Sequence, residues 1–175
     1  MKLAFIPEIS CGAELSKDRV YRYTLWRVWD MEKLVLAFIG LNPSTANETE
    51  DDPTITRCVN YAKAWGYGGL FMLNIFAFRA TDPQAMKAAS DPVGQDNDRW
   101  IIRVADKVKI VVAAWGNHGE FMDRGKAVIE LLHEFDLYYL GKLTKGGHPG
   151  HPLYLKADLT PELFRRGISR NKGGN

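Results

Sequence analysis

The stretch that decides the fold is Phe38-Ile39-Gly40-Leu41-Asn42-Pro43-Ser44-Thr45-Ala46. The apolar run 34–39 ends abruptly at a glycine, and an amide, a proline and two hydroxyl side chains follow within a few residues. This pattern is typical of a buried strand that delivers a polar loop to the carboxyl edge of a parallel sheet. In open α/β sheets, ligands bind in the crevice beyond that edge.

Three further apolar runs end in polar residues. The run 70–73 ends at Asn74, the run 110–115 ends at Gly116-Asn117-His118, and the run 137–140 leads into a segment rich in Gly, His and Pro at 146–152. Because the carboxyl ends of parallel strands meet at one edge of a sheet, we expect these polar residues to share one site.

The alternation of apolar runs with helical patterns predicts an α/β fold. We expect a central four-stranded, mainly parallel sheet with strands at 34–39, 70–74, 108–114 and 137–140. Apolar residues at helical spacing predict helices at 54–65, 95–106 and 120–134. Strands that alternate with helices favour parallel pairing with right-handed crossovers.

The remaining segments complete this outline. Pro53 fits the first turn of the first helix, with Asp51 or Asp52 as its cap. Residues 75–94 hold two prolines and a glycine, which predicts an irregular segment. Residues 19–29 alternate apolar and polar side chains, which indicates an antiparallel edge strand before the parallel core. We expect a single domain at 1–170 and a frayed tail at 171–175.

Composition and charge narrow the class of protein. Hydrophobic residues make up 46% and charged residues 25% of the 175 residues, as in ordinary globular proteins. No apolar run approaches the roughly 20 residues that span a bilayer, so we expect a cytoplasmic protein with no membrane partner. Cys11 and Cys58 lack metal-like spacing, which excludes a structural zinc or four-cysteine cluster within the chain. The net charge of +2 neither indicates nor excludes a nucleic-acid partner.

Asn42, Asn74 and His151 are the strongest candidates for chemistry. A side-chain amide both donates and accepts hydrogen bonds, which suits reading a nucleobase edge or orienting a water molecule, although it cannot serve as a strong general base. A histidine after the last strand can stabilise negative charge on a carbonyl oxygen. The alternatives are an Asx turn at Asn42-Pro43 and an ordinary loop histidine. His148 with His151 gives only a weak metal pattern.

Other residues have both a structural and a functional interpretation. Asp51 and Asp52 can bind a divalent metal or act as a base, or they can simply cap a helix. Arg79 can contact a phosphate or pair with Asp82. Trp115 can place a rigid aromatic ring beside Gly116, which permits close approach of a ligand, or it can belong to the core.

The order of the motifs resembles the uracil-DNA glycosylase superfamily. The matching motifs are Gly40-Leu41-Asn42-Pro43, Met72-Leu73-Asn74, Trp115-Gly116 and His151-Pro152. Over nearly its whole length the chain also resembles a bacterial and phage family of unknown function. The hallmarks of that family are Leu41-Asn42-Pro43-Ser44-Thr45-Ala46, Asp51-Asp52-Pro53-Thr54, the run from Asn74 to Pro83, Ala114-Trp115-Gly116 and the run from His151 to Leu155.

The glycosylase resemblance implies a three-layer α/β/α fold and an N-glycosylase, which is a hydrolase. It implies that Asn42 orients the hydrolytic water, that Asn74 reads the edge of a base flipped out of DNA, and that His151 stabilises charge on the departing base. It implies no cofactor. The residues expected to bind substrate are Gly40, Pro43, Ser44, Asn74, Arg79, Trp115 and Gly116. Leu153 stands where the glycosylases usually have a serine after His-Pro.

Two alternatives to a DNA glycosylase remain open. The acidic residues Glu48, Glu50, Asp51 and Asp52 oppose the approach of DNA phosphates and favour an enzyme that acts on a small nucleotide or nucleoside. The third hypothesis is a non-catalytic module of phage or defence origin that binds a nucleotide or nucleic acid.

Overall fold

The computed structural model of the chain describes residues 11–168. The predicted frayed tail at 171–175 lies outside the described residues. Seven strands form one sheet: β1 (Cys11–Leu15), β2 (Arg22–Val28), β3 (Val35–Gly40), β4 (Gly69–Asn74), β5 (Val111–Ala113), β6 (Leu137–Leu140) and β7 (Pro161–Arg165). Within residues 11–168, four α-helices accompany the sheet: α1 (Pro53–Ala64), α2 (Pro83–Ala88), α3 (Asn97–Ala105) and α4 (Arg124–Leu131).

The four predicted core strands are present and parallel to one another. β3 pairs in parallel with β4 on one side and with β5 on the other, and β5 pairs in parallel with β6. The register sets Gly40 opposite Asn74, so the ends of β3 and β4 lie level at the carboxyl edge. The two leading candidate asparagines, Asn42 and Asn74, therefore follow neighbouring strand ends.

The sheet is larger than the four strands predicted. The strand order is β1-β2-β4-β3-β5-β6-β7, and the added strands at both sides pair antiparallel with their neighbours. The predicted N-terminal antiparallel segment is confirmed, but β2 is not an edge strand, because β1 covers it. β7 gives no apolar signal in the sequence, since two of its five residues are exposed and none is fully buried.

The helices differ from the predictions at two places. The segment expected to be irregular contains α2, which begins at Pro83 with Asp82 as its cap. The helix expected from residue 120 begins instead at Arg124, because the 3₁₀ turn at Asn117–Asp123 has a kink with positive φ at Met122 and Asp123. No helix within residues 11–168 is both long and apolar enough to cross a membrane.

Alternate residues of the central strands enter two separate core clusters. Leu36 and Phe38 of β3 pack with buried residues of α1. Ala37 and Ile39 pack with buried residues of α3 and α4. Because successive side chains of a strand point to opposite faces, both faces of the sheet are covered, and its carboxyl edge is where polar groups can gather.

Candidate functional site

A small cavity lies at the carboxyl edge of β3 and β4. Five residues predicted to form the site line it together: Gly40, Asn42, Ser44, Asn74 and His151. Its volume is about 30 Å³. That is room for about two water molecules, since each needs at least ~10–15 Å³. The convergence of these residues follows from the parallel register, which brings loops from distant parts of the chain to one edge.

Asn42 is oriented by two backbone carbonyls. Its Nδ2 donates to the carbonyl oxygen of Pro43 at 3.1 Å and to that of Ala80 at 2.8 Å. Both amide protons are thereby engaged, and Oδ1 has no hydrogen-bond donor within residues 11–168. Asn42 can therefore offer a fixed acceptor to a water molecule in the cavity.

Asn74 is held at the end of β4, and only 2% of its surface is exposed. The side-chain amide of Asn97 donates to the backbone carbonyl of Asn74 at 3.0 Å and fixes the strand end. A Cβ atom at Gly40 would lie 2.9 Å from Asn74 Nδ2 and 2.6 Å from Met72 Cε. Glycine at position 40 therefore leaves the space that the Asn74 amide occupies.

His151 stands at the start of a 3₁₀ turn, Pro152–Tyr154. Its Nδ1 accepts from the backbone N–H of Leu153 at 3.4 Å, which leaves Nε2 as the protonated nitrogen of a neutral ring. Burial lowers the pKa of His151, and the nearby Asp52 carboxylate opposes that effect. His151 is consequently a neutral hydrogen-bond donor at pH 7.

Helix α1 anchors the segment that follows His151. The side chains of Arg57 and Tyr61 donate to the backbone carbonyls of Leu155 and Lys156. Trp65 Nε1 donates to the carbonyl of Leu159 at 2.9 Å. The helix that contributes Thr54 to the cavity thus also fixes the chain that carries His151.

Arg22 lines the cavity and is absent from the sequence-based site. It is 2% exposed, and burial lowers its pKa to about 10, so it stays charged at pH 7. Its Nη1 donates to the carbonyl of Ala46 at 2.9 Å, and its Nη2 makes a longer contact of 3.4 Å to Asn74 Oδ1. Its Nε is buried without an acceptor among the described residues.

A bulge in β2 directs Arg22 toward the cavity. The register passes from Glu14↔Thr24 to Leu15↔Arg22, which leaves Tyr23 as an extra residue. If side chains alternated strictly along β2, Arg22 would lie on the opposite face of the sheet from Leu25, which packs in the core cluster beside α1. The extra residue turns it to that side, where it meets Ala46, and bulges commonly re-aim side chains next to functional sites.

Two residues of the acidic loop, Glu48 and Asp51, pair with arginines of the β1–β2 hairpin. Arg19 forms a bidentate ion pair with Glu48, and this pairing lowers the pKa of Glu48 to about 2. Arg27 Nε donates to Asp51 Oδ1 at 2.8 Å. Asp52 caps α1 by accepting from the N–H of Ile55 at 2.9 Å. The helix-cap interpretation of Asp52 is therefore confirmed.

The other predicted site residues do not line the cavity. Trp115 is 1% exposed and lies in the core, where Gly119 and Gly125 approach its indole closely. Pro43 contributes its carbonyl to Asn42, and Arg79 Nη1 donates to the carbonyl of Arg19.

Gly116 acts on the site indirectly. Its φ of +70° favours glycine, and its N–H donates to the carbonyl of Pro149 at 2.8 Å. A Cβ at Gly116 would lie 3.7 Å from His151 Cβ. Gly116 therefore joins the end of β5 to the segment that carries His151.

A larger open groove of about 480 Å³ adjoins the cavity at Asp52. Asp51, Thr56, Arg57, Asn60 and Leu153 also line it. Within residues 11–168 no group of three or more His, Cys, Asp or Glu side chains is arranged to hold a metal ion. The alternative in which Asp51 and Asp52 bind a metal thus gains no further ligand from the described residues.

The chain belongs to the family described as "Protein of unknown function (DUF1643)", whose model matches residues 22–153. This range begins at Arg22 and includes every residue that lines the cavity. No curated protein and no solved structure matches the chain. The predicted membership of a family of unknown function is confirmed, and the family description supplies no reaction.

Proposed function

We propose that this chain is a glycosylase-like hydrolase that cleaves a nucleobase N-glycosidic bond in DNA. In this proposal the helices and sheet form the three-layer α/β/α arrangement of the uracil-DNA glycosylase superfamily. The observation that carries the proposal is the convergence of Asn42, Asn74 and His151 on one cavity.

Asn42 would position the attacking water. Its amide protons are held by the carbonyls of Pro43 and Ala80, so its Oδ1 can accept a hydrogen bond from that water. The water oxygen would bond to the sugar carbon as the bond from carbon to the base nitrogen breaks. The water proton would pass to solvent or to the departing base, because an amide does not ionise in the useful range.

His151 would stabilise the departing base. The bonding electron pair leaves with the base and places negative charge on its carbonyl oxygen. A neutral imidazole whose Nδ1 accepts from Leu153 presents Nε2–H as a donor, and such a donor stabilises developing charge. Burial keeps the ring neutral at pH 7, so the donor is present without an added proton.

Entry of a base requires the cavity to widen. A volume of about 30 Å³ is less than a pyrimidine ring occupies. Exposed Leu153 and Tyr154 follow His151 in the chain, and the ring centroids of His151 and Tyr154 lie 5.5 Å apart. Tyr154 is 86% exposed, and an aromatic ring in that position can stack on a base. Movement of the 3₁₀ turn at Pro152–Tyr154 would therefore both open the site and offer a stacking surface.

The groove favours a second candidate, an enzyme that acts on a free nucleotide or nucleoside. Asp51 and Asp52 on its wall oppose a phosphate backbone more than a single nucleotide. Pairing with Arg27 reduces the charge of Asp51 but leaves it at the rim.

Base-release assays test the proposal and separate the two candidates. The substrates are single- and double-stranded oligonucleotides with uracil, hypoxanthine or modified pyrimidines, together with the matching nucleosides and nucleotides. We expect release by the native chain, a loss of at least about 100-fold in Asn42→Ala, and native rates in Lys107→Gln, an exposed control. Release from oligonucleotides alone supports the first candidate, and release from free nucleotides supports the second.

Failure to release a base from any substrate, in assays where a uracil-DNA glycosylase is active, would contradict glycosylase activity both on DNA and on free nucleosides or nucleotides. Release that persists at the native rate in both Asn42→Ala and His151→Gln would contradict the assigned roles.

A further inference from the structure

Arg22 is a buried cation without an ion pair in the described part of the chain. Its Nε has no acceptor within residues 11–168, and Asp52 is the carboxylate that acts on it, through a charge interaction that raises the pKa of Arg22 against the larger effect of burial. Burying an unpaired charge is costly, and proteins normally pair or fully hydrogen-bond such groups. The guanidinium donates one hydrogen bond of ordinary length, to the Ala46 carbonyl, and makes a longer contact to Asn74. Its remaining hydrogen-bonding capacity is unused by the described residues.

The groups around Arg22 offer donors to the cavity. Asn74 Oδ1 faces Arg22, so Asn74 Nδ2, which has no acceptor within residues 11–168, remains to donate. Thr54 of the first turn of α1 lines the same cavity, and the positive end of a helix dipole favours negative charge. Among the described residues one carboxylate, Asp52, lines the cavity, and one of its oxygens is engaged by the N–H of Ile55.

We propose that the cavity is an oxyanion subsite in which Arg22 and Asn74 bind a carboxylate or phosphate group of the ligand. A volume of about 30 Å³, with room for about two water molecules, matches the two oxygens of a carboxylate or two oxygens of a phosphate. The planar guanidinium fork matches the oxygens of a carboxylate or a phosphate.

The proposal rests on the proposed function only in placing the ligand in this cavity. It uses neither the water that Asn42 would orient nor the hydrogen bond that His151 would donate. It narrows the substrate to one whose buried end carries an oxyanion, such as a base with a carboxylate substituent or a nucleotide that enters by its phosphate.

Thermal melting and calorimetry with simple anions test this subsite. The probes are sodium phosphate, sodium acetate and sodium chloride at equal ionic strength, with uridine as a neutral comparison. At ten times the dissociation constant, we expect the melting temperature of the native chain to rise by about 3–5 °C with the preferred oxyanion. Preference for acetate indicates a carboxylate ligand, and preference for phosphate indicates a phosphate ligand.

Three variants identify the residues responsible. Arg22→Gln should abolish the shift, whereas Arg99→Gln, an exposed arginine outside the cavity, should keep it and so controls for general salt effects. Asn74→Asp has the size of the native residue and supplies an internal carboxylate beside Arg22. It should also abolish the shift, and it keeps the test valid if Arg22→Gln does not fold.

The results separate this subsite from the proposed function. Equal shifts in the native chain, Arg22→Gln and Asn74→Asp would overturn the subsite, and so would stabilisation by uridine without stabilisation by either oxyanion. Base release without oxyanion binding overturns the subsite alone. Oxyanion binding without release from any substrate supports the subsite and overturns the proposed hydrolase.

Discussion

The two ends of β2 each carry a buried arginine, and the two arginines are satisfied to very different degrees. Arg27 is 8% exposed and donates to the Asp51 carboxylate at 2.8 Å and to the Asn47 carbonyl at 2.9 Å, with further carbonyls around it. Arg22 is 2% exposed and donates one hydrogen bond of ordinary length, to the Ala46 carbonyl at 2.9 Å. Its Nε has no acceptor within residues 11–168.

The difference indicates two roles for the same residue type. The loop at 47–51 supplies the carboxylate of Asp51 and several backbone carbonyls as acceptors for Arg27. Arg27 thereby fixes this loop against the sheet, which is a structural role. Arg22 keeps its Nε without an acceptor in the described chain and lies at a cavity, so part of its guanidinium is available to a ligand. Burial alone therefore does not distinguish a structural arginine from a binding one. Among the described residues, an Nε without an acceptor also occurs at Arg57, Arg79 and Arg165, so the position of Arg22 on the cavity is the further distinguishing feature.

Replacement of Arg27 should have the largest effect on stability. Arg27→Met removes an ion pair and several bonds to carbonyls, leaving those buried acceptors unpaired. Because Asp51 is partly exposed, we expect the free energy of unfolding to fall by about 2–4 kcal/mol, measured by urea denaturation. Lys33→Met, which breaks an exposed pair with Asp30, should change it by less than about 0.5 kcal/mol. A loss of less than about 1 kcal/mol in the free energy of unfolding of Arg27→Met would contradict the structural role of Arg27.

Gly40→Ala should disturb the Arg22 end while leaving Arg27 untouched. The added Cβ would lie 2.6 Å from Met72 Cε and 2.9 Å from Asn74 Nδ2. We expect a loss of about 1–2 kcal/mol in urea denaturation, because the flexible methionine can yield but the amide must move. Oxyanion binding should weaken in the same variant. Native stability together with native binding would show that the position of Asn74 is not tightly set.

Arg22→Met should change stability least among the buried arginine replacements. The variant removes a buried charge whose Nε has no acceptor within residues 11–168, which is favourable. It also leaves the Ala46 carbonyl without its donor and the buried Asp52 carboxylate without this positive charge, which are unfavourable. We expect a net change within about 1 kcal/mol, again by urea denaturation. A loss as large as that of Arg27→Met would show that Arg22 serves the fold in the same way.

His151 should give a small pH dependence of stability. Burial lowers the pKa of His151 from its ordinary value of 6.5, so below pH 6.5 the unfolded chain binds a proton that the folded chain resists. The resulting stabilisation is fully present above pH 6.5 and is lost as the pH falls through the lowered pKa. We expect His151→Gln to flatten this part of the profile, measured by thermal melting from pH 7.5 to 5. An identical slope in both proteins would assign it to other groups.

The sequence predicts the parallel core and much of the site because both depend on strong local signals. Each of the four parallel strands is a continuous apolar run that ends in polar residues, and register alone then brings Asn42 near Asn74. The outer strands escape prediction because an exposed strand such as β7 lacks an apolar run, and its pairing depends on distant β6.

Arg22 could not be assigned from its sequence context. Strict alternation places it on the face opposite Leu25 and Arg27, and the bulge at Tyr23 that reverses this depends on pairing with β1. Trp115 is the converse case. Its neighbour Gly116 suggests a ligand site, but Gly119 and Gly125 close around the indole only once the 3₁₀ turn forms.

The most direct test of the account is an anomalous difference map from crystals grown without phosphate or sulfate and soaked in selenate, a tetrahedral oxyanion. We expect a selenium peak in the cavity with oxygens about 3 Å from the Arg22 guanidinium, and no peak there in Arg22→Met crystals. Peaks confined to surface lysines and arginines, or a cavity peak that survives in Arg22→Met, would contradict the claim that Arg22 anchors the ligand.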